Sequence, residues 1–156
     1  MGKYGNCWIF WKIWETLGKY GKNSKRGEQI ITQENSNKIN EILRKIVTSE
    51  QGTANLANIA GYEIAGKTGT AQKSIKGKYS KKKINTFASI FPISSPKYVL
   101  IVLLDEPKLS ETYIYEYNDG KKRKIIGTPF NTAGWPSVEV TKNIIEKIGP
   151  ILAIKY

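Results

Sequence analysis

GYEIAGKTGTAQK, residues 61–73, decides the reading of this chain. It begins with strand-like alternation and then sets Lys67, Thr68 and Thr70 around Gly66 and Gly69. On a strand, Lys67 and Gly69 point to one face and Thr68 and Thr70 to the other, unless the backbone twists at glycine. Glycine at 69 lets a ligand approach the backbone closely. The N–H of Thr70 is then placed to stabilise an oxyanion, with an ammonium and a hydroxyl nearby to hold a carboxylate. A bare Lys-Thr-Gly recurs by chance on solvated edge strands, so its surroundings have to separate the two readings.

Upstream, Thr32 is an expected N-cap, and Ile39, Ile42, Leu43, Ile46 and Val47 follow at the spacing of an amphipathic helix, with Gly52 as its stop. Downstream, KSIKGKYSKKK packs six lysines into eleven residues and reads as a basic loop. NTFASIFPI is a second strand, closed by the turn SSPK. YVLIVLLDEP is a third, apolar at every position from Val99 to Leu104 and so expected to be covered on both faces. TYIYEY, NDG and KKRKII then read as a local hairpin, because Asn-Asp-Gly tolerates positive φ. A final helix starts near Pro136, carries Val140, Ile144, Ile145 and Ile148, and is expected to stop at Gly149-Pro150.

Composition bounds the rest. The 156 residues are one-domain length, and 40% hydrophobic content reads as globular. Twenty-five Lys+Arg against 13 Asp+Glu give +12, which admits an anionic partner. The basic residues nevertheless sit in short loop-like runs, and a Lys-, Asn- and Ile-rich composition also follows from codon bias. With no histidine, His-based nucleophile activation and His metal sites are excluded. The single Cys7 excludes an internal disulfide and a Cys-based zinc site, and reads as a small buried apolar residue. No metal or cofactor is implied. No stretch approaches the ~20 apolar residues of a membrane span, and CWIFWKIW is a poor signal peptide, so the chain as written reads as cytoplasmic.

Residues 1–27 stand apart. Trp8, Trp11 and Trp14 have i, i+3 spacing that could place them on one helical face, ahead of the Gly/Lys-rich GKYGKNSKRG. A surface-binding amphipathic helix is a second reading, though Lys12 and Glu15 make no strongly basic face. The start of a truncated or frame-shifted reading frame is the third and favoured one.

GKTGTAQ is far more specific than KTG alone. Together with LRKIVTSEQGTA before it, the strands after it, the DEP and the TAGW-P segment of the final helix, it resembles class B penicillin-binding proteins. These are the peptidoglycan D,D-transpeptidases, and the look is of the cell-division type. The resemblance covers about residues 28–154, with the hairpin an insert at about 108–130. It implies an α/β fold: the C-terminal half of the β-lactamase/transpeptidase-like domain, a helix, a three-stranded antiparallel sheet and a C-terminal helix. The expected division is an atypical segment 1–27 and a partial transpeptidase domain 28–156. The family performs acyl transfer on a peptidoglycan stem peptide, or on a β-lactam that mimics it, with motifs S-x-x-K, S-x-N and K-T-G. Carried over, Lys67 holds the substrate carboxylate region and the second-motif serine, Thr68 lines the strand edge and Gly69 gives clearance. Thr70 offers its N–H to the oxyanion hole and its hydroxyl to the carboxylate. The family is inner-membrane anchored with a periplasmic catalytic domain.

The other two motifs are not where the family has them. Ser80–Lys83 and Ser94–Lys97 match S-x-x-K formally but follow KTG and open no helix, S-x-N is absent, and Tyr4-Gly5-Asn6 matches only its tyrosine variant. No catalytic nucleophile is therefore assigned, and the expectation is a fragment that is inactive alone. One alternative is a split enzyme whose missing N-terminal half is another chain, docking on the apolar edge that Val99–Leu104 would leave open. The other is a nucleic-acid module using Lys73–Lys83 and Lys121–Lys124, disfavoured because only Tyr79 interleaves with the basic run.

Overall fold

The computed structural model describes residues 6–13, 30–108, 114–116, 122–124 and 133–155. In chain order these form β1 (Asn6–Ile13), α1 (Gln33–Thr48), a 3-10 turn (Asn55–Ala57), β2 (Ala65–Ile75), β3 (Lys78–Phe91), β4 (Tyr98–Asp105), β5 (Ile114–Glu116), β6 (Lys122–Lys124) and α2 (Pro136–Lys155). Expectations about GKYGKNSKRG, Trp14, the Asn118-Asp119-Gly120 turn, Lys121, Tyr4-Gly5 and the Cys7 side chain fall outside the described residues.

The sheet is antiparallel in the order β1-β4-β3-β2, and β5 pairs with β6 as a separate hairpin. The expected helix and three-stranded sheet are present, and β1 adds a fourth strand. Trp8 and Trp11 thus do not mark a helix: Asn6–Ile13 is extended and pairs along the whole of β4, from Asn6↔Asp105 to Ile13↔Tyr98. Local spacing is outweighed by eight consecutive pairings to a distant apolar strand. The same pairing closes the β4 edge that the sequence had left open.

Cross-strand partners share a face of the sheet, so the register sorts the side chains. Asn85↔Leu104, Phe87↔Val102, Ser89↔Leu100 and Phe91↔Tyr98 all lie on one face, and all eight are buried. Val47 of α1 with Val138 and Ile145 of α2 joins the same core, which makes this the helix-bearing face. Each large apolar side chain so buried contributes about 1.5–3 kcal/mol. Two buried hydroxyls are satisfied locally: Ser89 donates to Leu100 O at 2.9 Å and Thr141 to Ser137 O at 2.9 Å. On the opposite face Val99, Ile101 and Leu103 are only half-buried, so β4 is fully covered on one face and not on both.

Thr32 caps α1 as its chemistry predicts, accepting from the Asn35 N–H at 3.2 Å. The helix ends at Thr48, before Gly52. Glycine is required at 52 because a Cβ there would come within 2.2 Å of Ile46 O, where the chain folds back onto α1. At the other end α2 runs through Gly149-Pro150 where a stop was expected. Gly149 lets the Tyr62 ring lie directly against the helix, and Leu152 beyond it still packs on the core. Packing there outweighs the hydrogen bond that Pro150 cannot make.

The lysine-rich stretch also differs from its reading. It is a two-stranded arm closed by Lys76 and Gly77, both at positive φ (50° and 77°), as a tight hairpin turn requires.

Candidate functional site

β2 is the terminal strand of the sheet, paired only with β3 among the described residues. Its register sets Thr68 opposite Phe87 and Thr70 opposite Asn85, which puts both threonines on the helix-bearing face. There they line a cleft of about 450 Å³ with Glu50, Gln51 and Thr53 on one side and Gly134 and Trp135 on the other. Two connections build this cleft. Residues 49–55 turn back from α1, held by Gly52 N–H to Ser49 O (2.9 Å), Ala54 N–H to Ile46 O (3.2 Å) and Asn55 Nδ2 to Ser49 O (3.0 Å). Residues 133–135 form the turn that enters α2, tied by Glu139 N–H to Trp135 O at 2.9 Å. The two connections touch: a Cβ at Gly134 would come within 2.8 Å of Thr53 O.

Both hydroxyls are held before any ligand arrives. Thr70 Oγ1 accepts from the Ala133 N–H at 3.0 Å, so its own proton is free to be donated elsewhere. Thr68 Oγ1 and Thr53 Oγ1 are 3.1 Å apart, and either can donate. One proton of that pair is spent inside it and the other remains available. The entrance to α2 also brings the positive end of its backbone dipole toward the cleft. An oriented set of O–H donors near a helix start suits an anionic acceptor such as a carboxylate.

Lys67 and Gly69 fall on the opposite side of the strand. The Lys67 ammonium lies exposed and donates to Thr68 O at 2.8 Å. Gly69 is open, since a Cβ there would meet nothing within 4 Å, unlike Gly66, where a Cβ would meet Ala88 O at 2.4 Å. The four residues singled out in the sequence therefore divide into two hydroxyls inside the cleft, and an ammonium and a bare backbone position beyond it. Thr53 and the Ala133 N–H belong to the site and escaped sequence reading. Thr53 stood in plain view in EQGTA, but only the fold sets it against Thr68.

Neither serine of the formal S-x-x-K matches lines the cleft. Ser80 is on β3, and its Oγ accepts from the Lys82 N–H at 3.2 Å. Ser94 lies in the β3–β4 turn and donates to Glu63 Oε2, a bond that holds the Glu63 carboxyl below its ordinary pKa. Among the described residues no group of His, Cys, Asp or Glu could hold a metal ion, and no helix is long and apolar enough to cross a membrane.

A second polar cluster ties the root of the β2–β3 arm. Lys73 Nζ contacts Asp105 Oδ1 and Glu106 Oε1, each at 2.9 Å, and Lys82 Nζ contacts Glu106 Oε2 at 3.0 Å. Hydrogen bonds to Asp105 and then Glu106 raise the Lys73 pKa, and those from Lys73 and Lys82 lower that of Glu106.

Comparison with known proteins gives three findings. Residues 2–131 match the family described as the penicillin binding protein transpeptidase domain. The probable peptidoglycan D,D-transpeptidase FtsI of Caulobacter vibrioides is 28% identical over 83% of this chain and 21% of its own length. FtsI of Buchnera aphidicola (subspecies Baizongia pistaciae) is 33% identical over 65% and 20%. The chain thus spans about a fifth of the curated relatives it matches. Among solved structures, the transpeptidase domain of FtsI4 from Legionella pneumophila superposes with a TM-score of 0.53 at 30% identity, over 74% of this chain and 35% of that one. Penicillin-binding protein 3 of Mycobacterium tuberculosis, solved with ampicillin, gives 0.52 at 26% identity, over 76% and 25%.

Proposed function

This chain belongs to the penicillin-binding protein transpeptidase domain family, and on that premise we propose that it forms the substrate-holding wall of a peptidoglycan D,D-transpeptidase site. The carrying observation is the pair of hydroxyls, Thr68 and Thr70, oriented into one cleft by Thr53 and the Ala133 N–H. The ligand is a terminal carboxylate of a stem peptide, or of a β-lactam in its place. Thr68 and Thr70 donate to it, and Gly69 lets the scissile carbonyl approach the strand. The Thr70 N–H stabilises the oxyanion that forms when the carbonyl is attacked. Lys67 adds positive potential at the strand edge and pairs with a hydroxyl from the rest of the domain.

The nucleophilic serine comes from the part of the domain that precedes this one in the family, on the same polypeptide or another. Without it, electrostatic stabilisation alone leaves little catalysis. Two features support an arrangement in which further parts of a domain pack here. Ile39 and Ile42 of α1 are 46% and 60% exposed, and Val99, Ile101 and Leu103 are half-buried on the sheet face without helices. The site of action follows the polymer, outside the cytoplasmic membrane.

Two measurements test this reading. A fluorescent penicillin is expected to leave the isolated chain unlabelled, and a labelled serine would overturn the assignment. A peptide ending in D-Ala-D-Ala is expected to shift the amide resonances of Thr68, Thr70 and Ala133, and its C-terminal amide is expected not to. Equal shifts with the amide would remove the carboxylate from the reading.

A further inference from the structure

The β2–β3 arm is longer than the sheet needs. β4 ends opposite Ile84, whereas β2 and β3 continue together out to Ile75↔Lys78 and the Lys76–Gly77 turn. The arm is fixed at its root, because Lys73 and Lys82 bind Asp105 and Glu106 across three strands. Those two lysines are neutralised. Among the described residues, Lys76, Lys78, Lys81 and Lys83 pair with no carboxylate, and the arm presents them on a scaffold that also exposes Tyr79 (82%).

We infer that this arm is a second binding element for a carboxylate-bearing peptide, lying in line with the cleft wall and engaging the acidic groups of a substrate strand beyond its reacting end. The inference rests on the proposed function for the identity of the polymer, and on the fold for the element itself. The arm is the direct continuation of the strand that carries Thr68 and Thr70. From Thr70 to Lys76 is six residues, or about 20 Å of strand at ~3.3 Å each. That is longer than a terminal dipeptide, so the lysines meet a different part of the ligand from the one the threonines hold. A peptide lying along the unpaired edge of β2 would pass both.

The register also selects the partner class. Tyr79 pairs with Ser74, whereas Ile75 pairs with Lys78, so the aromatic and the aliphatic side chain lie on opposite faces of the arm. Lys83 pairs with Gln72, two residues from Ser74, and so shares the Tyr79 face across the register shift, whereas Lys78 lies on the other. A flat membrane would meet only one of these half-sets and no continuous apolar patch. A nucleic-acid strand would find a single stacking surface. A slender peptide with several carboxylates can reach cations on both faces.

The test uses the whole chain and a fluorescein-labelled decapeptide of alternating Glu and Ala, read by anisotropy at low and physiological salt. Replacing Lys76, Lys78, Lys81 and Lys83 together by Gln is expected to weaken binding at least tenfold and to flatten its salt dependence, with circular dichroism and melting unchanged. A charge-matched control, Lys38, Lys45, Lys108 and Lys147 to Gln, is expected to change it less than twofold. An equal loss in the control would show a response to net charge only and overturn the inference. Binding to phosphatidylglycerol vesicles without binding to the peptide would overturn it as well. The Thr70→Val variant is expected to keep acidic-peptide binding while losing the D-Ala-D-Ala peptide. Should neither chain bind the D-Ala-D-Ala peptide while the arm still binds the acidic one, the proposed function fails and the arm's binding role stands.

Discussion

Thr70 Oγ1 accepts the Ala133 N–H at 3.0 Å, so the edge strand and the entrance to α2 are joined through one side chain 63 positions away in sequence. The bond fastens two elements of the cleft and also turns the hydroxyl proton away from Ala133. Thr70→Val keeps the shape but leaves the Ala133 N–H without this acceptor. It is expected to cost about 1 kcal/mol in urea unfolding and to abolish the carboxylate-dependent amide shifts. Thr70→Ser is expected to restore both. Loss of stability without loss of ligand response would confine Thr70 to a structural role.

Thr53 acts on the ligand through Thr68, as a positioning residue. Thr53→Val removes the 3.1 Å partner and leaves the Thr68 hydroxyl free to rotate. Ligand affinity is expected to fall severalfold with little change in melting, since the pair is exposed, and Thr53→Ser is expected to recover it. An unchanged affinity in the valine variant would remove Thr53 from the site.

Two glycines three residues apart make opposite demands. Gly66→Ala would drive a Cβ to 2.4 Å from Ala88 O and 2.8 Å from the Phe87 ring, and is expected to destabilise the fold by about 1–3 kcal/mol. Gly69→Ala meets nothing within 4 Å and is expected to keep the melting temperature while weakening ligand binding, because its methyl, on the strand side beyond the cleft, would stand beside the Thr70 N–H to which the proposed function brings the scissile carbonyl. If both variants melt alike, the open surface at Gly69 has been misassigned.

The ion cluster gives the arm a pH window. The pKa of Glu106 is lowered on folding, so its stabilising share is present above the ordinary value of 4.5 and is lost as pH falls through the depressed one. Glu63 adds loss in the same acid range. The pKa of Lys73 is raised, so its share is full below the ordinary 10.5 and is lost as pH rises through the elevated value. Protection of the arm's amides from exchange, taken relative to the intrinsic rate at each pH, is therefore expected to be greatest between these limits and to fall on both sides. In Lys73→Gln the alkaline limb should disappear, and its persistence would show that Lys73 does not hold the arm.

The KTGT strand, both helices and the hairpin near Asn118 were legible because each announces itself over a few neighbouring residues. Thr32 wrote its cap into the chain, and Lys67–Thr70 stand together in one strand. What escaped was settled at a distance. NCWIFWKI is apolar at odd and even positions alike, so no period identifies it, and only pairing with β4 makes it extended. KSIKGKYSKKK reads as solvated by composition, yet backbone pairing and carboxylates from β4 make it an arm. The division of Lys67 from Thr68 and Thr70 followed from alternation, but the cleft the threonines face is built by residues 49–55 and 133–135, which no local pattern associates with them.

The sheet order has a consequence for synthesis. β1 is made before β4, its partner, which begins at Tyr98, 85 residues after Ile13. At roughly 5–20 residues per second, the ribosome leaves this tryptophan-rich strand without its mate for several seconds, while the β2–β3 hairpin can close on itself as soon as it emerges. Of the four strands of this sheet, the one translated ahead of the others is then the last to be seated, and in that interval its backbone is open to any other unpaired edge.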